Sequence, residues 1–98
     1  MLKKIKGDIE LIGRHLEVLS SVAEHQPIGI IKLSEILNVP QHRTRYSLRI
    51  LEGLGYIRAS SSGAVATDKA EELFSSLDND IDEIIMLLRG MKSFRRKV

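Results

Sequence analysis

Leu33 to Ile57 read LSEILNVPQHRTRYSLRILEGLGYI, with the spacing of two helices joined by a tight turn. A short helix ends at Asn38-Val39-Pro40. Asn tolerates the left-handed conformation that closes a helix, and Pro suits the entry to the next one. The second helix runs from about Gln41 to Leu54, and Gly55 stops it ahead of a β-prone run. Leu33, Ile36, Leu37, Val39, Leu48, Leu51 and Ile57 are spaced to close one small core between these elements. At 100° per residue, Thr44, Ser47, Leu48 and Leu51 share the inward side of the second helix. His42, Tyr46 and Arg49 lie opposite, flanked by Arg43 and Arg45, with Gln41 at the N-terminal end. Aspartate and glutamate are absent from 36 to 51, whereas an ordinary solvated helix mixes both signs. Such side chains suit phosphates and base edges.

Working outward, Ile5 to Ala23 has helical periodicity. Ile5, Ile9, Ile12, Leu16, Leu19 and Ala23 alternate spacings of four and three, and Leu11, Val18 and Val22 widen the stripe. Pro27 stops this helix. Ile28 to Ile31 either pairs as a strand or leads directly into the next helix, which Ser34 is placed to cap. Tyr56 to Ala59 and Ala64 to Thr67 flank Ser60-Ser61-Ser62-Gly63, a hairpin with a small polar tip. The last helix begins near Asp68, with Thr67 or Asp68 as its cap and Asp68-x-x-Glu71 placed to form a capping box. Leu73, Leu77, Ile81, Ile84, Leu88 and Met91 continue its seam. Ser75-Ser76 and Asp78-Asn79-Asp80 weaken its helix propensity and predict a break near Asp78.

The order helix, helix, helix, hairpin, helix resembles the winged helix-turn-helix domain. Leu51-Glu52-Gly53-Leu54-Gly55-Tyr56-Ile57 is similar to the leucine-glutamate-x-x-glycine-leucine-isoleucine signature that ends the recognition helix of many prokaryotic regulators. Thr67-Asp68-Lys69-Ala70 resembles the threonine-acid-lysine-glycine that follows the wing, with Ala70 in place of glycine. The likeness covers roughly residues 28–74 and points to the superfamily of MarR-like and ArsR-like repressors, which includes small archaeal regulators. It implies a mainly α fold with a small β-hairpin wing and long terminal helices. The expected organisation is one domain over 1–98: an N-terminal helix (1–25), the helix-turn-helix and wing (28–67), a C-terminal dimerisation helix (68–92) and a basic tail (93–98) containing Arg95, Arg96 and Lys97.

The implied function is a DNA-binding transcriptional regulator acting as a homodimer, with the 41–54 helix in the major groove of double-stranded DNA. Gln41, His42 and Arg45 are the candidates for base edges, and Arg43, Tyr46 and Arg49 for phosphates. Lys32 and Ser34, near the start of the preceding helix, are candidates for backbone phosphate. The wing has Arg58 at its base and no cation at its tip, so its contribution is expected to be small. An interaction module for protein or RNA is the alternative. The terminal helices carry more apolar surface than the helix-turn-helix could cover. The expected dimer interface therefore uses Leu77, Ile81, Ile84 and Leu88, with Ile9, Ile12 and Leu16.

Composition narrows the remaining classes. Ninety-eight residues with 43% apolar and 29% charged side chains fit one modest globular core. Net charge is +2 but segregated: residues 1–25 sum to zero, 26–66 to +3, 67–83 to −6 and 84–98 to +5. No apolar run approaches the roughly 20 residues a membrane span needs. MLKKIKGDIE lacks the apolar core of a secretory signal, and cysteine is absent, so a cytoplasmic protein is expected. There is no glycine-rich phosphate loop and no HExxH, and the three histidines (15, 25 and 42) have no metal-ligand spacing. Asp78, Asp80, Asp82 and Glu83 lack the glycine and terminal bidentate glutamate of a calcium loop. No enzyme, metal or cofactor is expected, and no polar constellation identifies a small-molecule effector.

Overall fold

The computed structural model describes residues 1–95. In chain order it has α1 (Leu2–His25), α2 (Ile30–Leu37), α3 (Gln41–Gly53), β1 (Ile57–Ser60), β2 (Gly63–Ala66) and α4 (Asp68–Met91), followed by a 3-10 turn over Lys92–Phe94. The architecture is mainly helical, with one antiparallel hairpin between the third helix and the last. No helix of the described residues is long and apolar enough to cross a membrane.

The core is built around α1. Val18, Leu19 and Val22 are buried, and they meet Ile28, Leu33, Leu51, Ile57 and Ala70 from the other elements. Of the seven positions expected to close the core, Leu33, Leu51 and Ile57 are buried, while Leu37, Leu48 and Val39 are half-buried. Ile36 is instead 40% exposed. It follows Glu35 on the outer side of the eight-residue α2, whose inner side carries Leu33 and Ser34.

The run from Ile28 to Ile31 divides between its two expected fates. Ile28 exchanges two backbone hydrogen bonds with Ala64 (Ile28 N to Ala64 O, 3.1 Å; Ala64 N to Ile28 O, 2.8 Å), an isolated bridge at the hairpin's edge. Ile30 and Ile31 then begin α2, with Gly29 as its N-cap. Ser34 therefore does not cap this helix, because it lies four residues inside it. Asn38 adopts the left-handed conformation (φ 55°), and its N–H reaches the carbonyls of Glu35 and Ser34. Pro40 is the N-cap of α3.

The end of α3 is held by the start of α4. Gly55 has φ +88°, and its carbonyl accepts a 2.6 Å hydrogen bond from Thr67 Oγ1. Lys69 Nζ donates to the Leu54 carbonyl at 2.6 Å and lies 5.1 Å from the centre of the Tyr56 ring. A lysine here satisfies orphan carbonyls and complements the negative end of the α3 dipole. Thr67 is the N-cap of α4 by position, but neither it nor Asp68 makes a side-chain cap bond. The expected Asp68-x-x-Glu71 capping box does not form, because Asp68 is the first residue inside α4 and not its N-cap.

No break occurs at Asp78. Ser75 and Ser76 return their hydroxyls to the Glu72 carbonyl, Ser76 also reaches Asp80, and Asn79 reaches Glu83 at 3.2 Å. These polar groups are satisfied along the outside of the helix, so they do not compete with its backbone ladder. The result is long: the principal extents are 60 × 27 × 21 Å and the radius of gyration is 16.3 Å. A compact chain of about 100 residues would have about 13 Å. Residues 2–10 of α1 and 78–91 of α4 are exposed throughout. Of the expected basic tail, Arg95 follows the 3-10 turn, and Arg96 and Lys97 lie outside the described residues.

Candidate nucleic-acid interface

The expected division of α3 between inside and outside holds. Thr44 and Ser47 are fully buried, Leu51 nearly so and Leu48 half-buried. Gln41, His42, Arg43, Arg45, Tyr46 and Arg49 are exposed. His42, Arg45 and Arg49 follow one another at spacings of three and four, which sets them in one row on the outer face. Lys4 to Asp8 is the only ion pair among the described residues. The three α3 arginines therefore have no carboxylate partner there, and their positive charge faces solvent. Lys32, in the first turn of α2, and Arg58, on β1, are also exposed.

Ser34 does not belong to this surface. Only 6% of it is exposed, and its hydroxyl has no hydrogen-bond partner among the described residues. Its position in α2 turns it towards the core beside Leu33, so it cannot reach a phosphate.

His15 is a neighbour of this surface that is absent from the expected contact residues. Its Nδ1 lies 2.8 Å from Ser47 Oγ, joining α1 to the inner side of α3. Its ring is 5.8 Å, centre to centre, from the Tyr46 ring. Tyr46 is thus partly engaged by α1 rather than standing free, and this contact helps set the orientation of α3. A signal for His15 was present, because it falls in the stripe of Leu11, Val18 and Val22 at helical spacing.

Burial, followed by the nearby Arg14 charge, holds the His15 imidazole below its ordinary value of 6.5. The folded protein therefore binds this proton less readily than the unfolded chain. The contribution of neutral His15 is fully present above pH 6.5. As the pH drops below 6.5 the unfolded chain gains a proton first, and stability declines until the lowered folded value is reached. Urea unfolding at pH 7.5 and 5.5 is expected to show this decline in the wild type and a smaller one in His15→Gln. An equal decline in both would remove His15 as its source.

A second feature lies between α1 and α4. Ile9, Ile12 and Leu16 of α1 and Leu77, Ile81, Ile84 and Leu88 of α4 line one open apolar groove of about 430 Å³. All seven residues expected at a dimer interface are brought together here, with Asp80 the single charged residue in the lining. No group of three or more potential metal-ligating side chains occurs among the described residues.

No protein-family model matches the chain, and no curated protein shows significant similarity to it.

Proposed function

We propose that the protein is a winged helix-turn-helix regulator that binds double-stranded DNA sequence-specifically as a homodimer. The observation that carries this reading is the α3 surface. Its three arginines face solvent without a carboxylate partner while the other side of the helix is fixed in the core. With α3 in the major groove, Gln41, His42 and Arg45 meet base edges. Arg can pair bidentately with guanine and Gln with adenine, each worth about 1–3 kcal/mol of discrimination. Arg43 and Arg49 hold phosphates and set the register, with Tyr46 contributing through the part of its ring that His15 leaves free.

Lys32 and Arg58 extend the positive surface to α2 and the hairpin. The hairpin tip, Ser61-Ser62, offers hydroxyls and amides but no cation, so most of the binding energy comes from α3. The apolar groove between α1 and α4 is the dimer interface in this reading, and a two-fold dimer presents two α3 helices to successive major-groove turns. Loss of duplex binding on replacing Arg45 and Arg49 is the test.

A further inference from the structure

The α4 seam has a heptad register. Leu77, Ile81, Ile84, Leu88 and Met91 alternate spacings of four and three, so Leu77, Ile84 and Met91 take d positions and Ile81 and Leu88 take a positions. Asp78, Ile85 and Lys92 then recur at seven-residue intervals along the flanking e position. Asp78 and Lys92 are fourteen residues apart, about 21 Å along a helix, and cannot pair within one chain. Both are exposed and neither has an ion-pair partner among the described residues. Lys92 keeps helical backbone angles (φ −66°, ψ −20°), so it stays in register with the helix before it.

We infer that α4 packs antiparallel against α4 of a second copy, about a two-fold axis beside Ile85–Leu87, with Asp78 of each chain against the partner's Lys92. This orientation rests on the dimeric reading above and deepens it. In an antiparallel pair e positions face e positions, so one axis brings Asp78 to the partner's Lys92 twice and sets Ile85 on its own counterpart. The same axis places Ile84 against the partner's Leu88 and Ile81 against the partner's Met91, all apolar. These residues are exposed in the single chain: Ile84 50%, Met91 53% and Leu88 39%. A parallel pair would set the carboxylates of 78–83 against one another and the cations of 89–95 likewise, both repulsive. Residues 67–83 sum to −6 and 84–98 to +5, and only the antiparallel order makes that distribution self-complementary. The α1 wall of the groove supplies a second apolar flank to the incoming helix.

The chain has no cysteine, so single cysteine substitutions read the geometry directly. The experiment combines light scattering of the wild type with copper-phenanthroline oxidation of Ile85→Cys, Leu87→Cys, Leu77→Cys and Met91→Cys. The expected result is a dimer that cross-links at 85 and 87 but not at 77 or 91. Cross-linking at 77 and 91 but not at 85 or 87 means a parallel pair, in which e positions face g positions, and overturns the inference. A dimer that cross-links at none places the interface elsewhere and overturns it too. A monomer at micromolar concentration removes the dimeric reading itself. Asp78→Lys is expected to weaken the dimer about tenfold, as is Lys92→Asp, and the combined variant to restore it. Failure of that restoration overturns the Asp78–Lys92 register.

Discussion

Replacing Arg45 and Arg49 together with alanine will weaken duplex DNA binding on the order of 100-fold or more and leave folding intact. The two side chains are four residues apart on the exposed face of α3, so in the proposed complex both approach the same stretch of DNA. A dimer loses four such contacts. At about 1 kcal/mol each, the low end for a specific contact, the total corresponds to on the order of 1000-fold. Losing the Arg49 phosphate contact from both chains will also flatten the dependence of log affinity on log salt by about two units. Neither side chain makes an ion pair among the described residues. Removing them therefore leaves no buried charge behind, and exposed substitutions of this kind change stability by only about 0.5 kcal/mol. Gel shifts across a salt series, with thermal unfolding of the same samples, check both halves. Unchanged affinity in a folded double variant would take the DNA surface away from α3.

Gly63→Ala will have the largest effect on stability. Gly63 has φ +132°, and a Cβ there would lie 2.6–2.8 Å from the backbone N, C and O of Ile28. Those are main-chain atoms, held in place because Ile28 exchanges two hydrogen bonds with Ala64. The hairpin must therefore open or Ile28 must leave it, and Ile28 belongs to the core. The backbone conformation alone costs about 1–3 kcal/mol for a residue with a side chain. Adding the clash, the expected loss is about 3 kcal/mol, which lowers Tm by roughly 12–24 °C in a domain of this size. Calorimetry on Gly63→Ala reads it directly, with Gly53→Ala as the comparison, because a Cβ at Gly53 meets nothing within 4 Å. Equal Tm values for the two variants would mean that the approach of Ile28 to the hairpin does not hold the fold.

The residues legible in the sequence were those governed by local periodicity. The inward row of Thr44, Ser47 and Leu51, the left-handed turn at Asn38 and the grouping of seven seam residues in one groove all follow from spacing or from the conformational range of one residue type. What was not legible depended on long-range partners. The Thr67 hydroxyl suits an N-cap by local rules, but it donates to the Gly55 carbonyl, twelve residues away in sequence, and ties the start of α4 to the end of α3. Ser34 looks like a helix-start residue until Gly29 takes that place and buries it. Asp78-Asn79-Asp80 reads as a break because its propensity is poor, yet side-chain hydrogen bonds on the outer face keep α4 whole. His15 fell within an apolar stripe, but its value as a link depends on Ser47 from another helix.

The polar surface of α3 and the apolar groove lie on different parts of the chain, and the proposed function needs both to act together. Selecting bound sequences from a pool of random duplex DNA tests that union most directly. The expected result is enrichment of a pseudo-palindrome whose half-sites lie about one helical turn apart, 10–10.5 base pairs centre to centre or a multiple of it. An unenriched pool, or no duplex retained at low salt, would contradict a sequence-specific dimer and favour an interaction module for protein or RNA.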